Sequence, residues 1–258
     1  MGWSYEQFKQ EILGLTNIDL SSYKERQMKR RIDSLMTRNG CNNYREYYAL
    51  LENNKEKLLQ FIDYITINVS EFFRNPAQWD VLKNEILPPI LNKYRNIRVW
   101  SAGCSTGEEP YSVVMLLSRF LPLSSIRVLA TDIDMNALEK ARSGVYAASS
   151  LGALPGEFLQ KYFIRREDLY IIDPKVKACV DFVQHDLLKD PFPDNCHIIL
   201  CRNVIIYFSE EAKAKLFSRF SAALHPDGVL FVGSTEHIIM PQRYNLKSIK
   251  AFFYKRIQ

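Results

Sequence analysis

Gly103 and Gly107 bracket Cys104-Ser105-Thr106, behind a short apolar run (Ile97, Val99, Trp100) and ahead of Glu108-Glu109 and an apolar, helix-like pattern from Pro110 to Phe120. The order predicts a strand, a tight turn and a helix. Glycine tolerates positive φ and leaves no Cβ in the way, so backbone N–H groups and a helix N-terminus can approach a ligand closely at such a turn. Three more polar residues stand at the ends of apolar runs: Asp132 after Ile126 to Ala130, Asp186 after Phe182-Val183, and Asn203 after Ile198 to Cys201. In an open α/β sheet, ligands bind at the carboxyl ends of the strands. Four strand-end motifs therefore converge on one site, where a lone glycine turn would mark only packing.

The residue types narrow the ligand. A phosphate-gripping P-loop needs Gly-Lys-Ser/Thr, and here the glycine is followed by Glu108-Glu109. An NAD site would place pyrophosphate where Glu108 stands. A cofactor without phosphate and with positive charge fits better, and S-adenosylmethionine has a sulfonium, an ammonium and a ribose for a carboxylate to hold. Asp132 sits where nucleotide-binding folds accept ribose hydroxyls, while Asp134 is placed to cap the helix Met135 to Arg142.

The positioning elements follow from periodicity. Repeated strand–helix alternation from Val99 to Val232 predicts a mostly parallel sheet covered by helices on both faces, closed by one or two strands from the tail Leu246 to Arg256. Residues 144 to 180 break the alternation, with short runs around Arg165-Arg-Glu-Asp168 and at Val176 to Val180, and read as a small antiparallel insertion. Ahead of the sheet, the spacings of Tyr5, Phe8 and Ile12, of Met28 and Ile32, of Tyr44 and Tyr47, and of Leu58, Ile62 and Ile65 give only helical stripes. The segment Gln78 to Tyr94 is expected to be helical with an interruption at Pro88-Pro89. The domain reading is a helical domain over 1–67, a lead-in over 68–94 contributing to the site, and an α/β domain over 95–258 with its insertion at about 145–180.

Composition sets outer limits. With 258 residues, 47% hydrophobic and 24% charged, the chain can bury a core and is too apolar for disorder. A net charge of +5 is short of a nucleic-acid coat, and the basic cluster lacks interleaved stacking aromatics beyond Tyr23. Residues 1–74 hold eleven basic and ten acidic side chains, yet Lys24, Arg26, Lys29, Arg30, Arg31 and Arg38 crowd one helical segment against Glu25 and Asp33. A solvated face is one reading, and a docking surface for an acidic helix the other. Five scattered cysteines without a C-x-x-C pair suggest reduced thiols and no metal site. The start lacks a signal-peptide core and no window approaches about 18 uninterrupted apolar residues, so a cytoplasmic chain without membrane insertion is expected.

Val99 to Ser112, Ala130-Thr-Asp-Ile-Asp134, Cys201-Arg-Asn-Val-Ile-Ile-Tyr-Phe208 and Asn68-x-Ser70-x-Phe-Phe-Arg74, in that linkage, resemble the chemotaxis-receptor glutamate methyltransferases, the CheR family, over nearly the whole chain. The resemblance implies a Rossmann-like S-adenosylmethionine-dependent methyltransferase domain with a small antiparallel β-subdomain, preceded by an all-α domain. It implies methylation of glutamates on cytoplasmic helices of methyl-accepting chemoreceptors, with S-adenosylhomocysteine as product. The cofactor contacts it implies are Asn68, Ser70, Arg74, Gly103, Glu108, Asp132, Asp186, Leu187, Asn203 and Val204. Many members carry threonine in place of Ser70 and asparagine in place of Asp186. Arg74 and Tyr207 are the expected catalytic pair, Arg74 gripping a carboxylate and Tyr207 lining the methyl-transfer site. The basic segment becomes the receptor-docking face, tested by charge reversal at Arg30 and Arg31. Ile164-Arg-Arg-Glu-Asp-Leu169 is shorter than the glycine-containing loop of members that tether to a receptor tail, so direct capture by a monomer is expected. Beside this stand a methyltransferase acting on another protein or small molecule, and a cofactor-binding regulatory module without turnover.

Overall fold

The computed structural model describes residues 2–257, which fall into two compact units: residues up to Asn68 together with Tyr207–Lys215, and the remainder. In the first, α1 (Tyr5–Thr16) starts at a capping box, the Ser4 hydroxyl accepting the Gln7 N–H and the Gln7 side chain accepting that of Ser4. Next come α2 (Glu25–Arg38), α3 (Tyr44–Asn53) and α4 (Lys55–Thr66), the last two capped by Asn43 and Asn54. Their stripes of three- and four-residue spacing meet in a core of Phe8, Ile12, Met28, Ile32, Tyr47, Leu51, Phe61 and Ile65. Residues 207–209 join this unit through backbone bonds. The Lys24 N–H donates to the Tyr207 carbonyl at 2.9 Å, the Ser209 N–H to that of Ser22 at 2.9 Å, and Phe208 bridges Tyr23.

The second unit opens with α5 (Pro76–Val81) and α6 (Leu87–Lys93), joined without a break by a wide π-helical turn over Leu82–Ile86. The expected interruption at Pro88-Pro89 is absent because both prolines fall in the first turn of α6, where no N–H is needed, and the irregularity moves upstream. Leu87 bonds back to Leu82, five residues before it.

Then follow β1 (Val99–Ala102), α7 (Glu108–Leu117), β2 (Val128–Asp132), α8 (Met135–Ser143), β3 (Val145–Ala147), α9 (Gly156–Tyr162), β4 (Phe163–Arg166), β5 (Leu169–Ile172), α10 (Pro174–Lys177), β6 (Val180–Gln184), β7 (Cys196–Cys201), α11 (Glu210–Ala223), β8 (Leu224–Val232), β9 (Leu246–Lys250) and β10 (Phe253–Arg256). The large sheet has the order β6-β2-β1-β7-β8-β10-β9, parallel through β8 and antiparallel at the two tail strands. A second sheet, β3-β5-β4, is wholly antiparallel. The α/β class, the mostly parallel sheet and the small antiparallel sheet are thus as expected. The run Val176 to Val180 does not extend the small sheet: Val176 and Lys177 end α10, and Val180 begins β6 on the large one.

Chain order reverses at β1, from which β2 and β6 lie to one side and β7 and β8 to the other. Connections leave in opposite directions at such a switch, here between the ends of β1 and β7, where open α/β sheets bind their ligands. β1 and β7 are buried throughout, which explains why they read as unbroken apolar runs.

Candidate active site

The loop leaving β1 is bound into the protein by its own N–H groups. Those of Gly103 and Cys104 donate to the Thr131 carbonyl at 2.8 and 2.9 Å, that of Ser105 to Asp132 at 2.7 Å, and that of Gly107 to the Cys104 carbonyl at 3.1 Å. These four donors are therefore not offered to a ligand, contrary to what the glycine pattern suggests. Gly103 and Gly107 serve close approach instead. Both have positive φ (83° and 93°), and a Cβ on Gly103 would lie 2.5 Å from the Val204 side chain. The loops after β1 and β7 touch there, at the switch.

The end of β2 and the start of α7 are acidic. Asp132 accepts the Ser105 and Asp134 N–H groups, one on each oxygen, and burial pushes its carboxyl up to about 6. Asp134 caps α8 through the Asn136 and Ala137 N–H groups, and Asp132 takes no part in that cap. Glu108 is 3% exposed at the first position of α7, and burial raises its pKa. Its partners are three hydroxyls, Thr106 at 2.7 Å with Ser70 and Ser150, and its own backbone N–H. Among the described residues neither Asp132 nor Glu108 has a lysine or arginine in ion-pair contact.

Ser70 reaches Glu108 because the following segment is tied to the α/β unit. The Phe72 N–H donates to the Ser150 carbonyl and the Phe73 N–H to Ser112, whose hydroxyl donates to the Glu108 carbonyl. Phe73 and Asn75 have φ of 52° and 60°. A left-handed phenylalanine is strained, and it is held by burying its ring against Trp79 and Phe158. Between them Arg74 is half-buried, with Nη1 donating to the Val69 carbonyl at 3.0 Å. Its own carbonyl accepts Trp79 Nε1 and, at 2.6 Å, Arg202 Nη2.

Arg202 and Glu109 form a buried pair at 3.4 Å, with Ser101 on the other glutamate oxygen. Burial lowers the Arg202 pKa and raises that of Glu109, while each partner opposes the other's shift. Asn203 follows with φ of 62°, its N–H donating to Glu236 at 2.7 Å. Asp186 spends Oδ1 on the Leu188 N–H in its own turn, and the buried Leu187 offers its carbonyl to Arg219.

Asn68 and Tyr207 belong to the helical unit. Asn68 Nδ2 lies 3.2 Å from both Asp63 and Thr66, and Tyr207 lies beside Lys24, Gln27, Met28, Arg31 and Ile67. Of the basic residues, Arg26, Arg30 and Arg38 are exposed at multiples of four and share one face of α2, and Lys24 is exposed at its N-cap. Lys29 pairs with Asp33 at 2.8 Å. Arg31 is half-buried, its guanidinium donating to the Tyr64 carbonyl and lying over the Tyr64 ring.

Sequence reasoning missed Ser112, Ser150, Arg202 and Glu236. Arg202 and Ser112 stood within quoted motifs, Arg202 directly before Asn203 and Ser112 at the end of the stretch from Val99; Ser150 and Glu236 carry no local signal.

Two family models match the chain: "CheR methyltransferase, all-alpha domain" over residues 4–66 and "CheR methyltransferase, SAM binding domain" over 68–253. This chain belongs to the CheR methyltransferase family. Curated relatives include the chemotaxis protein methyltransferases of Listeria monocytogenes, 40% identical over 92% of this chain and 91% of that protein, and of Escherichia coli, 34% identical over 94% and 87%. Another, from Borreliella burgdorferi, is 35% identical over 88% of each.

The chain is accordingly an S-adenosylmethionine-dependent methyltransferase, and its residues fit that cofactor on their own chemistry. A buried carboxylate without a cation costs several kcal/mol unless donors or a counter-charge meet it. Asp132 and Glu108 have such donors but, among the described residues, no ion-paired lysine or arginine, one suited to hydroxyl donors and the other to an ammonium, beside a turn whose Gly103, Cys104, Ser105 and Gly107 N–H groups are already bonded within the protein. Among the described residues no helix is long and apolar enough to cross a membrane.

Proposed function

We propose that this enzyme methylates glutamate side chains on the cytoplasmic helices of chemoreceptors, as a cytoplasmic monomer. The observation that carries the cofactor half is that Asp132 and Glu108 have no ion-paired lysine or arginine among the described residues. The names of the three relatives given above, each a chemotaxis protein methyltransferase, support the acceptor.

The bound cofactor supplies a methyl group on a positively charged sulfur. A substrate glutamate, with an ordinary pKa of about 4.3, is already ionised at neutral pH, so no general base is required. Its oxygen forms the new bond to the methyl carbon as the carbon–sulfur bond breaks, and both charges vanish. Excluding water favours a step in which charge disappears, and the remaining task is alignment. Asp132 takes the ribose hydroxyls, Glu108 the ammonium, and the turn Asn203-Val204 the adenine side with Asp186 and Leu187. Ser70 acts through Glu108, and Asn68 completes the approach. Arg74 holds a carboxylate through its planar fork, and Tyr207 lines the path of the methyl group. The exposed arginines of α2 steer an acidic receptor helix, and the short β4–β5 hairpin favours direct capture over tethering.

The test is Arg74→Ala and Tyr207→Phe, each assayed for product binding by calorimetry and for transfer to receptor-containing membranes. Transfer reduced by about tenfold or more is expected in both variants, with product binding retained in Tyr207→Phe. Undiminished transfer in both variants contradicts the assignment.

A further inference from the structure

Glu236 is 5% exposed, in the loop after β8, and its carboxylate is spent on backbone N–H groups. Oε2 accepts from Asn203 and from Gly233, each at 2.7 Å, Oε1 accepts from Ile206 at 3.2 Å, and Ile205 also donates. Among the described residues no lysine or arginine is ion-paired with it. Burying such a charge is expensive, and charge-assisted bonds to N–H groups are what offset it. Three of those donors lie in one turn, 203–206, between β7 and Tyr207.

The turn requires a hold. Asn203 is left-handed, which costs a non-glycine residue about 1 kcal/mol. Gly233 is what lets Glu236 close in, since a Cβ there would stand 2.5 Å from Oε2 and 2.9 Å from the Asn203 nitrogen. On the other side Val204 is packed over Gly103. A shift of the turn therefore moves Asn203 and Val204 together, along with the peptide entering Tyr207.

We propose that Glu236 is a positioning residue for methyl transfer, its carboxylate gathering the 203–206 N–H groups so that Asn203, Val204 and Tyr207 stand where the cofactor and the substrate need them. It rests on the roles assigned to those three residues under the proposed function. Glu236→Gln tests it with almost no change of volume: the amide NH2 must face a backbone donor, so at least one bond is replaced by a donor–donor contact. Ser221→Ala, which removes another buried hydrogen bond, from Ser221 to the Asn245 carbonyl, is the control for general destabilisation.

The full-length proteins are compared for melting temperature, S-adenosylhomocysteine affinity by calorimetry, and kcat and KM on receptor-containing membranes. For Glu236→Gln the expected result is a melting temperature near that of the control, product affinity and kcat each reduced about tenfold or more, and KM for receptor within about twofold. Wild-type affinity and kcat, or equal losses in Ser221→Ala, overturn the proposal. Should Glu236→Gln fail to fold, Glu236→Asp keeps the charge but withdraws it by one methylene; the same split is expected, and wild-type values overturn it. If the unmodified enzyme transfers nothing to receptors, the acceptor assignment fails, while the product-affinity arm still decides the role of Glu236.

Discussion

Asp132 ends β2 and Glu108 opens α7, neither with a basic residue in ion-pair contact among the described residues, and a pH dependence of cofactor binding is predicted from them. Burial puts the Asp132 carboxyl at about 6, and the ionised form is the better acceptor for ribose hydroxyls. Affinity for S-adenosylhomocysteine should therefore rise with pH through that value, by about tenfold between pH 5 and pH 7, as the ionised fraction grows. The raised pKa of Glu108 acts in the same direction. Calorimetry across that range should show the rise, and Asp132→Asn should bind weakly with a shallower profile; a flat wild-type profile would exclude the carboxylate from binding. These two acids were legible in the sequence because each ends a recognisable strand or begins a recognisable helix. Glu236 and Ser150 were not, because their partners, Asn203 and the Phe72 N–H and Glu108, lie far along the chain and only the fold brings them together.

Among the elements, strands that are unbroken apolar runs and helices with a clean period of 3.6 matched expectation, and irregular ones did not. The π turn over Leu82–Ile86 has no composition of its own, and proline chemistry alone pointed to a break a few residues late. Nor does any local pattern announce that residues 207–209 bond to residues 22–24. That bridge is open to a clean substitution. Lys24 has φ of −60°, which proline adopts without strain, and Tyr23 before it is extended, as a residue preceding proline must be. Lys24→Pro removes only the N–H that holds the Tyr207 carbonyl, together with the side-chain charge, and Lys24→Gln removes the charge alone. A lost hydrogen bond of about 1 kcal/mol should lower kcat of the proline variant about fivefold relative to the glutamine variant, with product affinity unchanged. Equal kcat values for the two would mean that this bond does not hold Tyr207 for transfer.

At the scale of the whole molecule, a net charge of +5 is modest, and its arrangement matters more than its size. The reading of six basic residues as one docking face becomes a narrower surface. Arg26, Arg30 and Arg38 line one face of α2, while Lys29 is paired and Arg31 holds the Tyr64 carbonyl within the helical unit. Reversing Arg26 and Arg30 to glutamate should raise KM for receptor about tenfold at low ionic strength with product affinity intact, and salt should shrink the difference by screening. Reversal at Arg31 should instead lower the melting temperature, so a loss of receptor methylation there would not report on docking. The helical domain read from the sequence as 1–67 also gains residues 207–215 in space, which no composition shift along the chain could have indicated.

The acceptor is the claim on which the rest depends. Incubating the enzyme with methyl-labelled S-adenosylmethionine and membranes that contain chemoreceptors, and then treating the receptor band with alkali, tests it most directly. A glutamyl methyl ester hydrolyses under these conditions, so label should leave the receptor as volatile methanol, and should not do so when Glu108→Ala enzyme is used. Label that stays on the protein through alkali, or that never reaches the receptor, would contradict glutamate methylation.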